Sequence, residues 1–391
     1  MLPLFWRFFL QDYGMVVIAQ LVLSLISWIL FSITLSWISP LPARIPVLVF
    51  TLITSLSWTI IFWDRVVMSE SLAISLLVLT VTAGIATFKT ANPVAYVTFT
   101  ITACLWTLTR DMNTFVALAG AVPVAFLASR RLSYGLLGAA VIALAALAGI
   151  AMSQIGDRGQ GPLFNVVTYR VIDGDAMKTS VLERGLPGEA FELRLVENKG
   201  MMTSLEKRGL PIDQLKLAIS DGVYDLIRGH VVNDTRFDEL RDWLASDGLG
   251  AYMRSLISNP SYTLFEPLPD LRKAVYPSVD HFAPVEANPI IGTESGWVPP
   301  PFALLAMIAS GAVFIYGVSR MPRANARRYW LLLGSSALLA LLHYYGVWLT
   351  DALALARHAI HFSVQVQLTW TILLVLGIRL IHQNRMPTNA E

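Results

Sequence analysis

Apolar runs separated by short polar turns constrain this chain more than anything else in it. The segments 14–38, 46–63, 69–88, 93–109, 114–129, 133–153, 299–319, 329–349 and 358–381 carry between them only Glu70 and Arg379 as charged side chains. A stretch of ~17–20 apolar residues is enough to cross ~30 Å of hydrocarbon. The fourth and fifth segments are short and flanked by polar residues. Composition agrees: of 391 residues, 55% are hydrophobic and 14% charged, against about 25% charged in soluble domains. The expected fold is an all-α polytopic membrane protein with about nine transmembrane helices and a mainly helical extracytoplasmic insert.

The charges are unevenly spread. Residues 154–298 hold 15 Lys+Arg and 21 Asp+Glu, and the remainder is net basic. The domains expected are therefore 1–153, an interfacial helix plus six transmembrane helices; 154–298, a polar extracytoplasmic domain; and 299–391, three further transmembrane helices and a short cytoplasmic tail. Basic residues in short loops set orientation. One set of alternate loops and the C-terminus holds ten, among them Arg44, Lys89, Arg130, Arg131 and Arg379; the other holds Arg7, Arg65, Arg110 and Arg357. The first set is expected to be cytoplasmic, in a multi-pass protein of the plasma membrane. The N-terminus and the 154–298 insert then lie outside. Residues 1–10, MLPLFWRFFL, are too short to span and read as an interfacial amphipathic helix. An external N-terminus of this kind leads us to expect one more span and an external loop upstream in the natural chain.

The insert shows helical spacing of apolar residues in 213–229 and 237–257, with Gly248 and Gly250 expected to break the second into two helices. TSVLERGLP (179–187) and TSLEKRGLP (203–211) are similar, and each reads as a helix end closed by Gly and then Pro. The insert carries no phosphate-binding loop and neither HExxH nor GxSxG. The single cysteine, Cys104, sits in an apolar run and has no intrachain disulfide partner. Nothing in the chain suggests nucleic acid.

Ionisable residues at the edge of a membrane are costly and mark function by default. Three patches on the external face qualify: Asp64, Arg65 and Glu70; Arg110, Asp111 and Asn113 in the turn 109–113; and Asp351 with Arg357, His358 and His361. Each has a bland alternative. Asp64 and Arg65 fit a surface pair, Glu70 fits a helix N-terminal acid, and Arg110 with Asp111 fits a neutral turn. His358 and His361 are one turn apart, but no third ligand accompanies them. In the functional alternative, carboxylates bind a divalent cation or take a proton from a hydroxyl, and arginines hold a phosphate.

The chain resembles the GT-C superfamily of membrane glycosyltransferases, the protein O-mannosyltransferase and aminoarabinose-lipid A transferase types. The resemblance is carried by Trp63 with Ser69-Glu70-Ser71-Leu72, by the turn Arg110-Asp111-Met112-Asn113, by Arg357-His358 before the last span, and by the opening PLFWRFFLQDYGMVVIAQLVLSLIS. It implies a polyprenyl-phosphate sugar donor and an inverting transfer to a lipid, glycan or protein acceptor outside the membrane. The base in that family is an aspartate of the first external loop, which here would precede Met1; Asp12 does not match the pattern. The site residues expected from residues and resemblance together are Glu70, Asp64 and Asp111 as catalytic carboxylates. Arg110, Asn113 and Arg357 are expected to bind the carrier phosphate, and a divalent cation is a candidate cofactor. The competing class is a non-catalytic membrane protein, a transporter or a lipid-binding assembly subunit.

Overall fold

The structure, a computed structural model, describes residues 12–55, 60, 64, 69–90, 92–128, 132–155, 163, 166–171, 175–188, 238–275, 300–350 and 360–385. Among these the chain is all helix, with no strand. Among the described residues a helix overlaps each of the nine apolar segments: α1 (Tyr13–Ile38), α2 (Arg44–Ser55), α3 (Ser69–Thr90), α4 (Pro93–Thr107), α5 (Asp111–Ala128) and α6 (Leu132–Ile155) precede the insert. Five short helices, α7 (Asp175–Leu182), α8 (Asp238–Trp243), α9 (Leu249–Ser258), α10 (Pro260–Phe265) and α11 (Leu271–Val275), belong to the insert, and α12 (Pro300–Ser319), α13 (Arg323–Thr350) and α14 (Ile360–Arg385) follow it. Five helices are long and apolar enough to cross a membrane, over Gly14–Ile38, Glu70–Thr90, Tyr134–Met152, Tyr329–Thr350 and Ile360–Asn384. Leu41–Ser55, Pro93–Thr107 and Leu305–Ser319 are shorter apolar helices.

Local chemistry explains the helix ends. Asp12 accepts a hydrogen bond from the Met15 amide and starts α1. Asn92 accepts one from Val94 at 2.9 Å, with Pro93 at the first helical position of α4. Within the helices, hydroxyls turn onto carbonyls one turn back: Ser27 to Leu23, Thr80 to Leu76, Thr107 to Ala103. This satisfies a polar group where water is absent.

The helices bury some polar side chains in a mainly apolar interior and expose large apolar ones. On α1, Gln20, Ser24, Ser27, Phe31 and Leu35 form one buried face, while Ile18, Leu25 and Ile33 stand at 56%, 56% and 52% exposure. Similar apolar exposure recurs at Val94, Leu144 and Leu305. So much exposed apolar surface on the helices is compatible with a membrane protein. α3 packs along α1 and α4, α5 along α6, and α12 along α14. The last pair meets through glycine: a Cβ on Gly377 would lie 2.7 Å from the Phe314 amide nitrogen, and one on Gly317 3.1 Å from the Gly377 carbonyl. Helices this close need a small residue at the crossing.

The starts of α3, α5 and α14 share one end of the bundle with the finishes of α4 and α13, here called the upper end. The described part of the insert packs there around Leu163, Met177, Val181, Leu240, Trp243 and Tyr252. α7 closes as the sequence suggests: Gly185 adopts φ 86°, and Leu186 N–H donates to the Val181 carbonyl at 3.1 Å. The second copy, 203–211, and the segment 213–229 lie outside the described residues. The expected break at Gly248 and Gly250 takes another form: a π-turn over Leu244–Gly248 joins α8 to α9 without leaving the helix. Trp243 and Leu163 lie 3.1 and 3.2 Å from the Cβ position of Gly248, so the small residue serves packing there.

The insert is fastened to α13 and α14 by side chains. Tyr252 donates to the Leu349 carbonyl at 2.8 Å, Tyr345 to Leu264 at 2.6 Å, and Trp348 Nε1 to Asp270 Oδ2 at 3.0 Å. Tyr344 donates to the Pro267 carbonyl, and Ser363 on α14 to Val275 at 2.9 Å. The Arg170 guanidinium lies 3.8 Å over the Trp348 ring.

Candidate functional site

The upper end brings together Asp64, Glu70, Arg110 and Asp111. α3 begins Ser69-Glu70-Ser71, and its packing on α1 turns the first residues inward. Glu70 is fully buried. Its Oε1 lies 3.6 Å from Nη2 of Arg110, 40 positions on, which projects from the turn between α4 and α5. The structure thus joins two of the three patches through an ion pair.

Asp64 precedes α3 and is 4% exposed, so it is not the surface carboxylate of the bland alternative. Ser71 donates to Asp64 Oδ1 at 2.5 Å, and the Ser24 hydroxyl of α1 bonds the same carboxyl. Burial pushes this carboxyl up to about 6, against the pull of the two serine hydroxyls. Desolvation disfavours the charged form, and hydroxyl donors favour it. The outcome is a carboxyl that titrates close to neutrality.

Asn113 is fully buried one turn into α5. Its Nδ2 donates to the Trp106 carbonyl at 3.1 Å and to Thr109 Oγ1 at 2.9 Å. Its Oδ1 accepts nothing. Asn113 fixes the turn that presents Arg110 and keeps one acceptor in reserve. Asp111 is exposed in the first turn of α5, apart from the buried carboxylates. Arg357, with Arg65, Asp351 and His358, lies outside the described residues. His361 is buried on α14, its ring stacked on His343 of α13 with centroids 5.7 Å apart, and Gln365 bonds His343 Nδ1 at 2.9 Å. Among the described residues, no three His, Cys, Asp or Glu side chains group as a cation site would need.

Sequence reasoning missed Ser24. Its signal was present: Gln20, Ser24 and Ser27 recur at helical spacing inside an otherwise apolar run, a polar stripe that a membrane helix turns toward a partner.

Below the site, a cavity of about 200 Å³ runs between α3, α4, α13 and α14. Trp106 and Gln365 line its upper part, and Lys89 and Arg379 its lower end. Trp106 Nε1 and Gln365 Oε1 are buried without a hydrogen-bond partner. The remaining lining is mainly leucine, isoleucine, valine and phenylalanine.

Compared with known proteins, the chain matches no family model, no curated protein and no solved structure.

Proposed function

We propose that the chain is a polytopic membrane glycosyltransferase of the GT-C type. In this reading the nine apolar segments cross the plasma membrane and the upper end faces outward. It moves a sugar from a polyprenyl-phosphate donor to an acceptor hydroxyl of a lipid, glycan or protein. The observation that carries the reading is the cluster of Asp64, Glu70 and Arg110 at one end of the bundle, with an apolar cavity deeper between the same helices. A lipid-linked phosphate needs both surroundings at once: a cation for its head and an oily channel for its chain.

The chemistry divides among these residues. Asp64, titrating near 6, is ionised at neutral pH yet basic enough to take the acceptor's proton. The freed oxygen attacks the anomeric carbon, the bond to the carrier phosphate breaks, and inversion follows. Arg110 balances the leaving phosphate, Asn113 orients it indirectly by fixing the turn that carries Arg110, and Glu70 holds Arg110 in place. Asp111, exposed at the rim, meets the incoming acceptor. Arg357 is assigned to the carrier phosphate by resemblance alone.

A direct measurement is the binding of radiolabelled polyprenyl phosphate to the full chain in nanodiscs, followed by transfer from the glycosylated carrier. Asp64→Asn is expected to keep binding and lose ~100-fold or more in transfer. Arg110→Ala is expected to weaken binding by ~10- to 100-fold. Near-normal binding and transfer in both variants overturns the assignment. The competing reading, a non-catalytic lipid-binding subunit, draws on the mutual neutralisation of Glu70 and Arg110. It expects binding with no transfer by the wild-type chain.

A further inference from the structure

The end of the cavity opposite the carboxylates is cationic. Lys89, in the last turn of α3, donates to the Trp37 carbonyl at 2.9 Å, and its ammonium lies 3.7 Å from the Trp37 ring centroid. Arg44, the first residue of α2, and Arg379 of α14 are both near enough for their charge to act on that ammonium. Nε of Arg44 is buried with no hydrogen-bond partner. Among the described residues no carboxylate compensates this group: outside the insert the described acids are Asp12, Asp64, Glu70 and Asp111, and all of them lie at or toward the other end. Three cations from three helices thus converge against their mutual repulsion.

A positive bias in short loops explains basic residues near a membrane surface. It does not explain why two of them, Lys89 and Arg379, line the mouth of an apolar cavity. Along α14 the lining runs from Gln365 to Arg379, ~20 Å at 1.5 Å per residue, somewhat more than the ~15 Å half-thickness of a bilayer core. The head of the fitting molecule is therefore anionic and sits at the lower membrane surface, and its body is a single long hydrocarbon chain lying between helices.

We propose that Lys89, Arg379 and Arg44 bind the phosphate of an anionic phospholipid from the leaflet at the lower end, with one acyl chain held in the cavity between α3, α4, α13 and α14. The bound lipid supplies a counter-charge that no described residue provides there and fills the space that leucine and phenylalanine leave open. The acyl chain enters from the opposite end the same cavity that the proposed function gives to the polyprenyl chain, so the two lipids exclude one another there. The proposal rests on the bundle lying in a membrane and not on the transfer chemistry, so a chain without transferase activity still tests it.

The test is native mass spectrometry of the full chain in detergent micelles titrated with phosphatidylglycerol or phosphatidylcholine. The expected result is one tightly retained phosphatidylglycerol, not displaced by phosphatidylcholine. In Lys89→Gln/Arg379→Gln the affinity is expected to fall on the order of tenfold or more. The charge-conserving pair Lys89→Arg/Arg379→Lys is expected to keep the lipid, which separates loss of charge from loss of fold. Leu373→Trp, which fills the cavity, is expected to expel the lipid while leaving the cations in place. Equal retention of both lipids, or unchanged retention in the charge-removed pair, overturns the proposal.

Discussion

Asp64 shows how one buried carboxyl is tuned by its neighbours. Burial raises its pKa to about 6, and Ser24 and Ser71 restrain the rise by donating to the ionised form. If Asp64 is the base, activity requires the deprotonated carboxylate, so the rate is expected to rise with pH through a midpoint near 6 and level off above it. Ser71→Ala removes a donor to the charged form and is expected to move that midpoint to higher pH. A pH–rate profile of kcat reads the shift, and an unmoved acid limb in Ser71→Ala counts against Asp64 as the base. The sequence shows Asp64 and Ser71 as close neighbours, but it does not show that they touch, or that both are buried. That depends on α1 delivering Ser24 from 40 residues upstream. The pairing of Glu70 with Arg110 is hidden for the same reason: helix packing sets it, not spacing.

The helices themselves were the most legible part of the chain. Hydropathy led to an all-helical chain, and five of the described helices are long and apolar enough to cross a membrane, because such a segment must be apolar over most of its length and must satisfy its own backbone. It did not reveal how they pack, since small residues and hydroxyls mark a crossing only once the partner is known. The approach of α12 and α14 at Gly317 and Gly377 is such a case. Gly377→Ala places a methyl against the backbone of Phe314 and Val313, and is expected to cost on the order of 1–3 kcal/mol by overpacking. Gly334→Ala, where nothing lies within 4 Å of the new Cβ, serves as the comparison and is expected to be neutral or stabilising. Thermal unfolding in micelles reads both, and equal melting of the two variants contradicts the close crossing.

On the scale of the whole molecule, the insert and the bundle are one object. Trp348 carries much of the connection through its bond to Asp270, the Arg170 guanidinium over its ring and the ring of Tyr262 6.0 Å away. Trp348→Ala is expected to release residues 238–275, raising their amide hydrogen exchange on the order of 100-fold while exchange within α3 and α5 stays unchanged. A uniform rise across the chain instead indicates general unfolding. Charge distribution in the sequence marks 154–298 as a polar segment. It did not announce the aromatic fastening, because Tyr344, Tyr345 and Trp348 sit within an apolar run that reads as ordinary span.

That fastening reaches two helices, not one: Tyr252 and Asp270 hold α13, while Val275 holds Ser363 at the start of α14. The insert therefore acts as a splint across the upper ends of both. It removes their freedom to tilt apart, and any rocking of the last two helices carries the insert with them as a lever. A rigid binder raised against 238–275 would then brake these helices from their upper ends, without entering the bundle or touching the carboxylates.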